Sequence, residues 1–366
     1  MPLFRFLDQF DRYDVPWPLN ALQEETKELL IKAIRDKEIV LRTIATCACG
    51  EKRATLISVV DRFGLPFETY LCRKCGLVYV SPRIAPESMG LYYDTYYHPL
   101  HFGTRATPES FLYAKGQGSK IFILLKERLK SGAINFLDIG AGNGSVMREF
   151  AEEAAQSGHT VKGLGLEYSG EYIACFNPGS HDLCIRQGGV SSLGSQDGPF
   201  NIVIMSHVFE HFGEPDGELS RIKSVITPDA LFYIEVPGIF SLRQRYRYYD
   251  CDYLRYVTGA HIFNFNLTSL THMLNRNGFK MLWGNETIEA IFSPGSQTID
   301  VSDNADLVQS FLTDLENNRP FYASLSPKNL GITELRSRVE RIEIFIEKVR
   351  SNIFFRLFRW IWRKFR

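Results

Sequence analysis

Phe136-Leu137-Asp138-Ile139-Gly140-Ala141-Gly142-Asn143-Gly144 is the stretch on which the fold turns. The apolar run 134–139 reads as a buried strand, it breaks into a glycine-rich turn, and Ser145–Ala155 reads as the helix that follows. Glycines in such a turn let the backbone approach a ligand closely and take up angles that other residues resist. Glu167 stands 23 residues after Gly144, at the end of the next strand-like run, Gly163-Leu164-Gly165-Leu166-Glu167. A carboxylate there can accept hydrogen bonds from both hydroxyls of a ribose.

Outward from this motif, helix and strand signals alternate. Ile121–Leu129 reads as a helix before it, and Val161–Leu166, Asn201–Met205, Ala230–Val236 and Phe279–Trp283 read as strands after it. A helix is expected up to about Val225, and another over Leu267–Asn277, stopped at Gly278. This alternation predicts an α/β fold, a doubly wound parallel sheet with helices on both faces. The chain divides into a helical segment (1–40, with Asn20 capping a helix to about Glu38), a cysteine module (41–86), the main domain (87–290), an irregular linker (291–332) and a C-terminal helical extension (333–366).

Two details of the glycine turn speak about its ligand. The glycines alternate as G-x-G-x-G, and an acid, Asp138, sits inside the strand end where dinucleotide binders carry an apolar residue. S-adenosylmethionine has no pyrophosphate to cradle, but it has an ammonium group that a nearby carboxylate can hold. A nicotinamide-dependent sugar-modifying enzyme on a similar sheet is the competing reading, and Asp138 argues against it. A non-catalytic scaffold that kept the fold is the other, and the intact glycine loop with Glu167 argues against that.

At this point the sequence resembles the class I S-adenosylmethionine-dependent methyltransferases. Asn201-Ile202-Val203-Ile204-Met205-Ser206-His207-Val208-Phe209-Glu210-His211 is similar to the family's fourth strand and the "LEH" turn after it, Thr227–Pro237 to its fifth-strand segment, and His261-Ile262-Phe263-Asn264-Phe265 with Asn277-Gly278-Phe279 to its "H-x-x-x-F … GF" segment. The resemblance covers about residues 70–285 and implies a Rossmann-like methyltransferase sheet. It implies a donor site made of Asp138, Gly140, Ala141, Gly142, Asn143, Gly144, Glu167, Tyr168, Ser206 and His207. The family often has an acid near the adenine after its third strand; here the run is Gln187-Gly188-Gly189-Val190-Ser191, without one, and that contact is left unassigned.

Cys47-Ala48-Cys49 and Cys72-Arg73-Lys74-Cys75 form two pairs of thiols, and four thiolates can close a tetrahedral, structural zinc site. Buried structural thiols are the plainer alternative. The following Gly76-Leu77-Val78-Tyr79-Val80-Ser81-Pro82 resembles the zinc-ribbon lead-in of methyltransferases similar to the sugar C-methyltransferases. That resemblance implies a sugar nucleotide, saccharide or lipid-linked glycan as acceptor, in the making of surface polysaccharide. His211 and His261 match histidines at or near the active site of those relatives and are the expected catalytic pair, one of them serving as base. A glutamate precedes the second histidine in the relatives and Ala260 does here, so O-methylation stays as open as C-methylation. Leu91–His98 resembles the family's tyrosine-rich lead-in, and Arg243–Tyr249 would sit as a lid able to bind phosphate and stack on sugar.

Lys plus Arg and Asp plus Glu number 42 each, so no global field draws in nucleic acid. The opening residues mix charges with aromatics and lack the apolar run of a signal peptide, so the chain is expected in the cytoplasm, where its seven cysteines stay reduced. Residues 348–366 put Phe354, Phe358, Ile361, Trp362 and Phe365 on one helical face and arginines on another. This is the pattern of a peripheral helix at a membrane interface, with docking on the domain or on a second subunit as the alternative. The sequence leaves oligomerisation open.

Overall fold

A computed structural model describes residues 18–105, 107, 114–130, 132–243 and 252–324 of the chain. It opens with helix α1 (Ala21–Arg35), whose cap Asn20 forms a reciprocal capping box with Gln23. Strand β1 (Leu41–Arg42) pairs with β5 (Arg83–Ile84). Between them, β2 (Ala54–Ser58), β3 (Thr69–Cys72) and β4 (Val78–Val80) form an antiparallel meander that carries the cysteines. Met89–Leu91, the π-helical turn Tyr92–Tyr97 and His98–Phe102 then run on as one helical stretch, closed at Gly103 in the left-handed conformation.

The main domain follows: α2 (Gln117–Leu125), β6 (Ala133–Ile139), α3 (Ser145–Gln156), β7 (Thr160–Glu167), β8 (Asp182–Gln187), β9 (Phe200–Ser206), α4 (Pro215–Lys223) and β10 (Ile226–Glu235). Strand β11 (Phe263–Asn264) returns to the cysteine module and pairs with β4. Helix α5 (Leu267–Arg276), β12 (Phe279–Gly284), β13 (Glu289–Pro294) and α6 (Asn304–Asn317) follow, and short helices stand at Gly170–Ala174, Tyr253–Tyr256 and Arg319–Ser324. The central sheet has the order β12-β13-β10-β9-β6-β7-β8. Leu137, Val203 and Phe232 are fully buried in its middle strands, and this covering of both faces is why those strands read as near-continuous apolar runs.

The topology places the site. From β6 the chain winds outward through β7 and β8, then restarts at β9 on the other side and winds outward through β10. The strand order therefore reverses between β6 and β9, and the crevice at their carboxyl ends is where such sheets take ligands.

Three expectations need correction. The sheet is not wholly parallel: β13 runs antiparallel between β10 and β12. Of the expected irregular linker 291–332, the described part, 291–324, is not irregular, because it finishes β13 and holds α6, whose Val308, Leu312 and Leu315 recur at helical spacing and are buried. Polar residues between those positions hide the period in a plain reading. The helix expected to run on from the third apolar run begins only at Pro215, after a tight turn over Phe209–His211. The Arg243–Tyr249 segment apart from the backbone of Arg243, Cys251 and the expected helices of 333–366 lie outside the described residues. Among the described residues no helix is long and apolar enough to cross a membrane.

Candidate functional site

A cavity of about 670 Å³ opens at the carboxyl ends of β6, β7, β9 and β10. That is the size that buries most of a ligand of several hundred daltons. Every residue expected to bind the donor lines it except Gly144.

Its inner end is made of strand ends and the glycine turn. Gly140 has φ 71°, and a Cβ built on it would fall 2.4 Å from Val208 Cγ2, so only glycine fits. Gly144 sits below the loop, where a Cβ would strike the ring of Phe176 at 2.3 Å. Glu167 is held before any ligand arrives: its two oxygens accept the backbone N–H groups of Gly142 and Ser169, each at 2.9 Å. Burial still raises its carboxyl above the usual range. Asp138 is buried beside it. Burial, and then the charge of Glu167, push Asp138 up to about 8. An acid kept nearly neutral in an apolar pocket is ready to ionise against an incoming ammonium.

The β9 end carries His207 with φ 56°, a left-handed conformation uncommon for a residue with a side chain. Its N–H donates to the Glu235 carbonyl at 2.7 Å, and its ring lies between two carboxylates, 3.8 Å from Glu210 and 3.7 Å from Glu235. Glu235 closes β10 in the same cavity. Burial raises its carboxyl, but His207 and Lys120 outweigh this and hold it below the usual range. Lys120 also pairs with Glu289 at 2.7 Å, and Gln117 and the Tyr233 hydroxyl donate to Glu235. Glu235 was not among the expected site residues. Its signal was available: like Glu167, it is an acid terminating a buried apolar strand.

The outer end is aromatic. Tyr93, Tyr97, Phe102 and Tyr172 line it with His211. Tyr93 and Tyr97 lie on the π-helical turn, which widens the helix and aims both rings at the His211 ring, with centroids 5.9 and 6.0 Å away and edge-on. His211 Nδ1 bonds the Ala260 carbonyl at 2.8 Å, which fixes the tautomer with Nδ1 protonated and leaves Nε2 as the basic nitrogen. Burial pushes His211 down to about 4, so the ring is neutral at ordinary pH. His261 does not line the cavity. It stands behind His211, edge-on at 4.9 Å, on a loop pinned by Asp61, whose carboxylate accepts the N–H groups of Phe63, Leu65 and Gly259.

The four cysteines come together away from the cavity. Cys47 and Cys75 sulfurs are 3.7 Å apart, Cys49 and Cys72 sulfurs 3.6 Å, and all four lie within 4.8 Å of one another. Zn–S bonds of about 2.3 Å put the sulfurs of a tetrahedron about 3.8 Å apart, so the donor set fits zinc. The cluster is clipped to the main domain by Asn304, whose amide donates to the Cys75 carbonyl at 2.7 Å.

Residues 113–282 match the family described as "Methyltransferase domain". No curated protein sequence matches the chain. Solved structures with a similar fold include the plantazolicin methyltransferase BpumL in complex with a monoazolic desmethylPZN analog and SAH, 14% identical, covering 56% of this chain and 82% of its own, with a TM-score of 0.40. The cyclopropane synthase MmaA2 from Mycobacterium tuberculosis is 15% identical and covers 58% and 82%, with a TM-score of 0.37. The 1,6-didemethyltoxoflavin-N1-methyltransferase of Burkholderia thailandensis is 15% identical and covers 62% and 98%, with a TM-score of 0.36. The family match falls on the segment that holds the glycine turn, Asp138, Glu167, His207 and His211: this segment is a methyltransferase domain.

Proposed function

We propose that this enzyme methylates a hydroxyl-bearing saccharide, the sugar of a nucleotide or of a lipid-linked glycan intermediate, in surface polysaccharide assembly. The observation that carries this reading is the outer end of the cavity: flat aromatic rings, able to stack on a sugar face, surround one neutral imidazole. The donor supplies an electrophilic methyl group. Glu167 takes the ribose hydroxyls, Asp138 faces the ammonium, and Gly140, Ala141, Gly142 and Asn143 give the backbone cradle, with Tyr168, Ser206 and His207 closing the site. His211 Nε2 takes the acceptor proton as the new bond to the methyl forms, while the Ala260 carbonyl holds the imidazolium in place. His261 supports His211 from behind. The cysteine cluster holds a structural zinc ion, and residues 348–366 bring the enzyme to a membrane surface where lipid-linked acceptors reside.

The test is label transfer from methyl-labelled S-adenosylmethionine to nucleotide sugars, free oligosaccharides and lipid-linked saccharides, beside phenolic and lipid acceptors. Label on a sugar hydroxyl or carbon, lost in Glu167→Ala, supports the reading. Label only on the phenol or lipid overturns it.

A further inference from the structure

Once Glu167 holds the ribose, the base of the donor falls against Tyr168, Gly189 and Val190, which line the cavity beside it. Tyr168 packs flat on Tyr93, and its phenol lies so close over Gly189 that a Cβ there would sit 2.0 Å from the oxygen. This wall shapes a slot for a flat ring but gives its polar edge little. Of the loop that follows β8, only Ser191 brings a polar side chain to the cavity, and it is exposed. An adenine amino group left without an acceptor in such a slot weakens binding.

An acceptor stands across the slot, on another element. Helix α4 packs against the turn over 190–192, with Arg221 donating to the Leu193 carbonyl at 3.4 Å. Glu218 lies on its cavity side, close enough for its charge to act on the Tyr168 phenol. Glu218 Oε2 accepts the Glu214 N–H at 3.0 Å, which fixes the carboxyl, while Oε1 has no hydrogen-bond partner among the described residues. Glu218 is half-buried, and burial pushes the group up to about 7.

We propose that Glu218 accepts a hydrogen bond from the exocyclic amino group of the donor's adenine and so sets the enzyme's choice of base. The proposal rests on the donor reading above, and the test separates the two. Affinity is measured by calorimetry for S-adenosylhomocysteine and for S-inosylhomocysteine, in which a carbonyl replaces the amino group. The wild type is expected to prefer the adenosyl compound by about tenfold or more. Glu218→Ala should lose that preference by weakening the adenosyl compound alone. Glu218→Gln, whose amide can donate, should narrow or invert the preference while keeping the helix cap. Equal weakening of both ligands, or a preference unchanged in Glu218→Gln, overturns the proposal. Failure of the wild type to bind either ligand overturns the donor reading itself, and this proposal with it.

Discussion

The two ends of the cavity are built by different means. The inner end is assembled from contiguous motifs at the tips of β6, β7 and β9, and its ligand groups are positioned by backbone: the N–H groups that orient Glu167 and the glycine that no Cβ can replace. The outer end gathers side chains from the π-helical turn over 92–97 and the turn after β9, and the backbone carbonyl of Ala260 in the loop 258–261 fixes the His211 ring. One end is therefore preorganised by its backbone for the proposed donor. The other is held by a chain of side-chain contacts that can be altered without disturbing the first, which is the division an enzyme needs when one donor serves different acceptors.

The largest effect is expected where backbone conformation is decisive. Gly140→Val adds branched carbons where the Cβ alone already meets Val208, at a left-handed φ. Donor binding should fall below detection in calorimetry while circular dichroism shows a folded sheet. Donor affinity within tenfold of wild type would mean that the glycine turn does not carry the site.

At the outer end, His211→Asn keeps a polar group near Ala260 but removes the proposed base. Turnover should fall about 10²- to 10⁴-fold, with S-adenosylhomocysteine affinity within about threefold. The pH profile gives the sign. Because burial holds His211 near 4, the wild-type acid limb should lie well below the ordinary histidine value, and activity should persist to about pH 5. An acid limb near the unperturbed imidazole value of about 6.5 would assign the base elsewhere.

Asp138 tests the inner end more gently. Its folded pKa of about 8 means that it is largely protonated in the empty enzyme at neutral pH. A bound ammonium favours the ionised form, so binding releases a proton and tightens as pH rises. Between pH 6 and 8 the affinity for S-adenosylhomocysteine should climb by up to roughly tenfold per unit, then flatten. Asp138→Asn should bind more weakly and show a flat profile over that window. A flat wild-type profile would remove the carboxyl from ammonium binding.

What the sequence disclosed follows the same division. The glycine turn, Asp138 and Glu167 were legible because strand, turn and acid are contiguous and their spacing is set by the fold. The doubly wound sheet was legible because apolar runs alternate with helical periods. The cysteine cluster was visible as two spaced pairs, though the clip through Asn304 was not, since that residue is 229 positions from Cys75. His261 was expected in the cleft and stands behind His211, because a loop's direction depends on what pins it, here Asp61 in a different module. Glu235 carries the same strand-end signal as Glu167 and is legible in that way, whereas Glu218 is not: an acid's burial is a tertiary property, and in sequence Glu218 looks like any acid in the first turns of a helix.

The smallest effect on the donor should come from the cysteine module, and it separates the ends most directly. The module meets the main domain through β11, which pairs with β4, and Val80 donates to the Ile262 carbonyl at 2.9 Å. Those contacts fix the loop that supplies Ala260 to His211, but they do not touch the glycine turn or Glu167. If the proposed zinc is there, stripping it with a strong chelator, or replacing Cys72 with serine, should therefore lower the melting temperature and cut turnover severalfold. The donor dissociation constant should move by less than about threefold, because the β11–β4 pairing and the Val80–Ile262 bond lie apart from the backbone N–H groups that orient Glu167. Equal loss of donor binding and turnover would show that the two ends share one support, and that the cysteine module stabilises the whole sheet rather than the acceptor side.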